Sequence, residues 1–409
     1  STLYKINQLK AWIIPTFWWT TFIVALFGIM ACINVILRKQ WIEHEKLAYP
    51  IIELPFAMAQ ENGMRFFNNR LFWLAFVAVS ILNLINGLSY FFPGVPIVGV
   101  RFQDIGYLFT EKPWSALGTV RFSIYPFVIG LGFFMPLDLS FSCWFFFLFR
   151  KFQHVLSSAL GLRSFGFPFD RQQSLGAYLG LSVIAIWISR KYLIRIFRHA
   201  LIERKSDLDE SNEPVRYRTA ILGIVIGLAY LIGFSHSMGL TSWIATLFFL
   251  IYLFLSVGIT RMRAESGAPA HDLHIMGADY TLAAFLGTRF LGRQNLTAIT
   301  FFFFFNRAHR SHAMPHQLEG FKLASRAGFR PNLLMILMIL AVVVGSISSF
   351  WAYAHNCYRF GSNGGFGAEP FRRLEQQINY PTGPESLEIV FIGIGMGVTF
   401  ILMFFRKLE

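Results

Sequence analysis

The chain has 409 residues, of which 55% are hydrophobic, 17% aromatic and only 14% charged. A soluble domain carries about 25% charged residues, so this composition excludes a soluble globular protein and favours one that is embedded in a lipid bilayer. The net charge of +14 does not indicate a nucleic-acid partner, because the cytoplasmic loops of membrane proteins collect Lys and Arg.

The apolar segments are long enough to form helices that cross a hydrocarbon core about 30 Å thick. We therefore predict an all-α, polytopic transmembrane helical bundle that forms a single domain over residues 1–409. Two further segments are apolar but interrupted: 121–149 by MPLDLS and 279–305 by TRFLGRQN. In chain order, the predicted uninterrupted spans are 11–37, 71–92, 174–190, 219–236, 241–260, 331–354 and 387–405.

The charges of the connecting loops predict the orientation of this bundle, because basic loops stay in the cytoplasm. Lys and Arg are concentrated in the loops 38–70, 190–218 and 306–330, which carry five, eight and five basic residues. We place these three loops in the cytoplasm. The loops 93–120 and 355–386 have balanced charges and are predicted to lie outside.

Two interrupted segments follow from this orientation. The loop 190–218 is cytoplasmic only if 121–149 crosses the bilayer twice or dips in and out, and Pro136 cannot continue a regular helix. We predict two short helices around Pro136. The segment 279–305 is predicted to be a re-entrant hairpin that starts and ends on the cytoplasmic side. Such breaks survive in lipid only inside protein or along a wet cavity, and secondary transporters bind substrates there.

A single carboxylate stands out in the first interrupted segment. Asp138 is the only charged residue between Ser123 and Phe149, and a charge at the bilayer centre costs about 2.5–3.5 kcal/mol on insertion scales. One interpretation is a proton, cation or substrate site that faces the bundle interior. The alternative is a structural carboxylate that caps the helix after Pro136 or pairs with an arginine.

The stretch RMRAESGAPAHDLHIMGADYT, residues 261–281, places polar side chains between two apolar segments. Its Gly-Ala-Pro sequence predicts the end of a helix and a turn, so we expect the stretch to line an aqueous entrance to the hairpin. Arg263, Glu265 and Asp279 are predicted to bind substrate or ion, together with Asp138. The arginines alternatively anchor the span at the membrane surface. Further polar members of the stretch are Arg261, His271, Asp272 and His274.

Three histidines in HRSHAMPHQ are the other candidates for chemistry. His309 and His312 would share one face of a helix, whereas Pro315 separates them from His316. They are either metal ligands or members of a solvated, pH-sensitive loop, and the basic surroundings favour the loop. No CxxC or other metal-binding spacing is present, so we expect neither a metal site nor a cofactor.

Three segments resemble the oligopeptide transporter superfamily, in particular a bacterial branch of related membrane proteins. They are the loop EHEKLAYPIIELP, the interrupted segment IGLGFFMPLDLSFSCWFF and the stretch RMRAESGAP. The resemblance extends over most of residues 30–365 and implies an all-helical bundle and proton-coupled import of peptides or metal chelates. The NPG and KIPPR motifs of the better-known peptide transporters are absent, so the substrate class is not fixed by it.

We therefore expect an ion- or proton-coupled secondary transporter in the bilayer, with a peptide or other small-molecule substrate and no enzymatic activity. A bacterial inner membrane is the expected location, and a homo-oligomer or a larger membrane complex is compatible with the sequence. The alternatives are a membrane subunit of an assembly without transport activity and a membrane-embedded enzyme for lipid-linked substrates. The chain begins STLYKINQLK and ends FFRKLE, and we expect it to be part of a longer protein.

Overall fold

The computed structural model describes residues 3–59, 67–98, 102–133, 135–162, 166–202, 210–268, 272–273, 275–361 and 365–406. These residues are almost entirely helical, which confirms the predicted all-α fold. One short hairpin pairs β1 (Gln103–Asp104) with β2 (Arg121–Phe122) in antiparallel register. The helices are α1 (Ile6–Lys39), α2 (Glu53–Ala59), α3 (Arg70–Phe91), α4 (Pro126–Phe133), α5 (Leu137–Ala159), α6 (Asp170–Leu201), α7 (Tyr217–Ser237), α8 (Ser242–Ser266), α9 (Ala278–Leu286), α10 (Thr288–Thr300), α11 (Phe303–Asn306), α12 (Ala313–Arg326), α13 (Pro331–Phe360), α14 (Gly365–Asn379) and α15 (Ser386–Phe405).

Seven helices in the described part of the chain are long and apolar enough to cross a bilayer: α1, α3, α6, α7, α8, α13 and α15. Each of them covers one of the seven predicted uninterrupted spans to within one residue at either end, so those predictions are confirmed. Several extend beyond the apolar run, because polar residues at a helix end reach water without breaking the backbone hydrogen bonds. The chain is thus an integral membrane protein.

The predicted break at Pro136 is also confirmed. Helix α4 ends at Phe133 and α5 begins at Leu137, because a proline lacks the N–H that a continuous helix needs. The second helix is not short, however, and continues to Ala159. The loop predicted after residue 149 therefore begins inside a helix.

The chain divides into two compact units, one formed by residues 1–47, 171–263 and 270–409, and the other by 48–170 and 264–269. In the second unit, Asp104 Oδ1 accepts hydrogen bonds from the N–H groups of Gly106 and Val120, both at 2.8 Å. The prediction of a single transmembrane domain stays a prediction, because two compact units can still fold together as one cooperative domain.

Close packing of helices holds the first unit together. A methyl group added at Gly395 of α15 would lie 2.0 Å from the carbonyl oxygen of Gln173 in α6, and one at Gly258 of α8 would lie 2.3 Å from Ser182 Oγ. Small residues let helix backbones approach closely in membranes. The glycines therefore fix the distance of α6 from α15 and from α8.

Described residues of the three loops predicted to be cytoplasmic lie close together where they belong to this unit. Arg38 Nε donates to Glu213 Oε2 at 3.0 Å, and both side chains are buried. Tyr217 and Phe321 belong to one buried apolar cluster. Burial raises the pKa of the Glu213 carboxyl, although the Arg38 guanidinium opposes this shift. The cytoplasmic location of these loops stays a prediction.

Candidate functional site

The second interrupted segment folds into a hairpin whose two ends meet. Helices α9 and α10 are separated at Gly287, which has a φ of 79°, and α10 is distorted at Gly292, where φ is 73°. Only glycine adopts such values without strain. The N–H of Ala278, at the start of the hairpin, donates to Asn306 Oδ1 at its end, at 2.9 Å. The predicted interruption and the hairpin shape are confirmed, whereas the cytoplasmic location of both ends stays a prediction.

The tip of the hairpin lies at one end of α8, and the chain then runs back along that helix. At the tip, Asn295 Oδ1 accepts a hydrogen bond from the N–H of Thr241 at 2.8 Å, just before α8 begins. Further on, Tyr252 OH lies 3.3 Å from His312 Nδ1, near the middle of α8. Glu319 then pairs with Arg263 near the other end of α8. Residues 295–319 thus follow the full length of a spanning helix.

The backbone is non-helical where this return passes the middle of α8. We define the junction as the described residues among 272–279 and 306–312, which lie side by side. The N–H of Ile275 donates to the carbonyl oxygen of Arg307 at 2.7 Å. Ile275 has a φ of 64°, and a left-handed conformation of a non-glycine residue costs about 1–3 kcal/mol. Such strain often marks a functional site.

Ion pairs and hydrogen bonds hold the two segments of the junction to each other and to α14. Asp279 accepts hydrogen bonds from Asn306 Nδ2 and from Arg373 Nη1, the latter at 2.9 Å. Asp272 accepts from the N–H of His309 and from Arg310 Nη2, both at 3.2 Å. Of the four residues predicted to bind substrate or ion, Asp279 is the one that the structure places in this network.

The prediction that residues 355–386 form only a connecting loop is wrong. The segment contains helix α14, whose residues lie along the hairpin from its ends to its tip. Near the tip, the N–H of Thr382 donates to Thr288 Oγ1 at 2.8 Å, and that of Glu385 donates to the carbonyl oxygen of Ala284 at 3.0 Å. Several polar groups of this segment thus bond to the hairpin, a pairing that sequence composition does not reveal.

A polar cavity of about 470 Å³ lies between α9, α14 and the start of α15. Glu388 lines it, and Gln172 Nε2 donates both to Glu388 Oε1 at 3.1 Å and to Tyr280 OH at 2.6 Å. Arg373 also lines this cavity, so the cavity extends to the ion pair at Asp279. Sequence reasoning missed Glu388, although it is the only charged residue of the predicted span 387–405.

The prediction of a solvated histidine loop is wrong for two of the three histidines. His309 is 0% exposed and His312 is 5% exposed, and they lie on non-helical backbone with ring centroids 5.6 Å apart. Tyr252 packs against both rings. Within the described ranges, no group of three His, Cys, Asp or Glu residues is placed to hold a metal ion.

Arg263, another predicted site residue, pairs with a glutamate 56 positions along the chain. Its Nε and Nη2 donate to the two carboxylate oxygens of Glu319 at 2.5 and 3.2 Å, and Arg263 is 3% exposed. Burial opposes ionisation of Glu319, but hydrogen bonds from His316 and Arg263 outweigh it and lower the pKa of that carboxyl. Arg261 similarly pairs with Glu45 and lies over the ring of Trp41.

The remaining predicted residues lie apart from the junction. Glu265 is half-buried in the last turn of α8, two residues before Gly267, whose φ of 62° follows the end of that helix. Asp138 is exposed in the first turn of α5, and Pro136 rather than Asp138 occupies the capping position. The expectation that Asp138 is buried is therefore not met, while its role in activity stays a prediction. His271 and His274 lie outside the described residues.

Comparison with known proteins identifies a family without assigning a function. No curated protein and no solved structure matches the chain. The profile of a family described as "Family of unknown function (DUF6785)" matches residues 1–408. Because that match covers essentially the whole sequence, the chain belongs to the DUF6785 family.

Proposed function

We propose that this protein is an ion-coupled secondary transporter whose substrate path passes through the polar cavity and the junction. The observation that carries the proposal is the junction itself, a non-helical, ion-paired segment that lies beside Tyr252 in the middle of a spanning helix. A membrane protein that served only as a scaffold has no need of such a segment.

Lipid makes this feature informative. Each unpaired backbone group costs several kcal/mol in hydrocarbon, so irregular backbone persists at this depth only inside protein or beside a water-filled cavity. Discontinuous helices with their ends near the membrane centre form the substrate and ion sites of many secondary transporters. Helices α9 and α12 both begin at the junction, at Ala278 and Ala313, so two positive helix ends are directed at it.

The proposal also specifies a gate. Arg373 lines both the polar cavity and a smaller neighbouring pocket, and its partner Asp279 lines the smaller pocket, so we place the gate at this ion pair. The resemblance to oligopeptide transporters suggests peptides and metal chelates as the first substrates to test. A bacterial inner membrane is the proposed location.

A second candidate is a membrane subunit of a larger assembly. Helix α3 is 22 residues long, and no residue of it is buried. Such a face suits a partner helix as well as lipid, and this candidate predicts no transport by the isolated protein.

Uptake by proteoliposomes tests the proposal. The purified protein is reconstituted and supplied with labelled peptides and metal chelates under an imposed proton or sodium gradient. Asp279→Asn should reduce uptake about tenfold or more, because a hydrogen bond to a charged group contributes about 1.5–3 kcal/mol. Glu375→Gln is the matched control, since Glu375 is an exposed carboxylate of the same helix as Arg373. Absence of gradient-driven uptake for every substrate would refute transport.

A further inference from the structure

His309 occupies an unusual position at the junction. It lies on non-helical backbone directly before α12, completely buried, in contact with the ring of Tyr252 at a centroid distance of 5.9 Å. Its backbone N–H donates to Asp272 Oδ1 at 3.2 Å. The imidazole is therefore held in place from both sides by residues of other segments.

The contacts of the ring determine which nitrogen can take up a proton. Nδ1 lies 3.4 Å from the carbonyl oxygen of Leu273, which can only accept, so Nδ1 carries the hydrogen. Nε2 then carries the lone pair. Among the residues that the structure describes, this buried Nε2 has no hydrogen-bond partner. Buried polar atoms normally have one, so the atom is available for a ligand.

Opposing influences act on the charge of the His309 ring. The carboxylates of Asp272 and Asp279 favour an imidazolium, whereas burial and the positive end of α12 disfavour it. The titratable and charged groups that face the ring are Tyr252 of α8, Asp272, Asp279 of α9, and Arg310 and His312 of its own segment.

We propose that Nε2 of His309 is the site that takes up the coupling proton of this transporter. The identity of the coupled ion rests on the proposed transport function, but the binding of a proton that opens the junction does not. A proton adds to the lone pair of Nε2 and converts the neutral imidazole to an imidazolium. The same N–H bond breaks when the proton is released, and no other bond changes.

Protonation shifts the protein between conformations because the two states bind the proton differently. In the closed state described here the ring is completely buried, and loss of hydration disfavours an imidazolium. A state in which the junction admits water stabilises it. A ligand shifts such an equilibrium by its difference in affinity for the two states, so proton uptake opens the junction.

Accessibility of the junction measures this directly, without a substrate. The three native cysteines, Cys32, Cys143 and Cys357, are replaced, and Ala278→Cys places a thiol at a position that is 0% exposed. Its labelling rate is compared between His309 and His309→Gln backgrounds at about pH 7.5 and about pH 5, the range in which histidine titrates. At each pH the labelling rate in the His309 background is divided by the rate in the His309→Gln background. This ratio cancels the effect of thiol titration on the labelling rate.

We expect this ratio to rise at least about fivefold at the lower pH, the lower limit of typical coupling between sites. The matched control, His236→Gln, removes an exposed histidine at the end of α7 and should behave like the parent. Backbone hydrogen exchange of residues 275–281 gives the same comparison if the cysteine perturbs folding. A ratio that does not change with pH in both measurements would overturn the proposal.

Transport separates this inference from the proposed function. His309→Gln should abolish accumulation driven by a proton gradient and retain substrate counterflow, which needs no net proton movement. Coupled accumulation by that variant, at matched expression, would also overturn the proposal. If no solute is transported but labelling depends on His309 and pH, the transporter proposal fails while the proton site stands.

Discussion

Removing Arg263 should destabilise the fold, because this residue neutralises a buried carboxylate. Breaking a buried ion pair by removal of one partner costs about 3–5 kcal/mol. Glu319 makes two hydrogen bonds to Arg263, at 2.5 and 3.2 Å. His316 Nδ1 lies 3.5 Å from the same carboxylate, so the carboxylate keeps one polar neighbour after the change. We therefore expect Arg263→Met to lower the free energy of unfolding by about 3 kcal/mol.

A double-mutant cycle isolates this interaction. Arg263→Met, Glu319→Gln and the double variant are unfolded with sodium dodecyl sulfate in mixed micelles, and the coupling energy should be about 2 kcal/mol, within the range for contacting residues. The control pair is Arg310→Met with Asp272→Asn. Arg310 has a side chain that is 74% exposed, so its coupling should stay below about 1 kcal/mol.

The pH dependence provides a further check on the same pair. The pKa of Glu319 is lowered in the folded protein. Its contribution is therefore complete above the unfolded pKa of a glutamate, about 4.3, and is lost as pH falls through the lower folded value. Additive single effects would refute the pairing. Unchanged stability together with lost uptake in Arg263→Met would instead support the substrate-binding role predicted from sequence.

Three other outcomes are expected. Gly395→Ala should destabilise the protein by about 1–3 kcal/mol through overpacking, since the added methyl group meets a carbonyl oxygen of α6. The control Gly393→Ala, on the same helix, places its methyl group with no atom within 4 Å and should be neutral or slightly stabilising. Equal free energies of unfolding for the two variants would contradict this prediction. Cysteines at the exposed Arg293 and Arg330 positions should be labelled from opposite membrane faces, and labelling from one face would contradict the path of the hairpin along α8. Asp138→Asn should change the unfolding free energy by no more than about 0.5 kcal/mol because its side chain is exposed; equal uptake by this variant and the parent would exclude Asp138 as a proton site.

Sequence patterns predicted the features that depend on local chemistry. Apolar run length identified all seven spanning helices, and Pro136 and the Gly-containing TRFLGRQN identified both breaks. Pairing between distant residues was not predictable in this way. Nothing near Arg263 in the sequence points to Glu319, and the polar composition of α14 is equally compatible with a solvated loop. The burial of His309 likewise depends on Tyr252, which lies 57 positions away.

The path of the hairpin has a consequence for biosynthesis. The α9–α10 hairpin is not among the candidate spans of the described residues, and α10 carries Arg289 and Arg293. Because the segment is also interrupted at Gly287 and Gly292, its free backbone groups oppose release from the translocon into lipid by itself. It enters the bilayer only once α8 and the later helices provide contacts for it. We expect a nascent chain that stops before α14 to lack the ion pair of Asp279 with Arg373, and the junction to be complete only after α14 has been made.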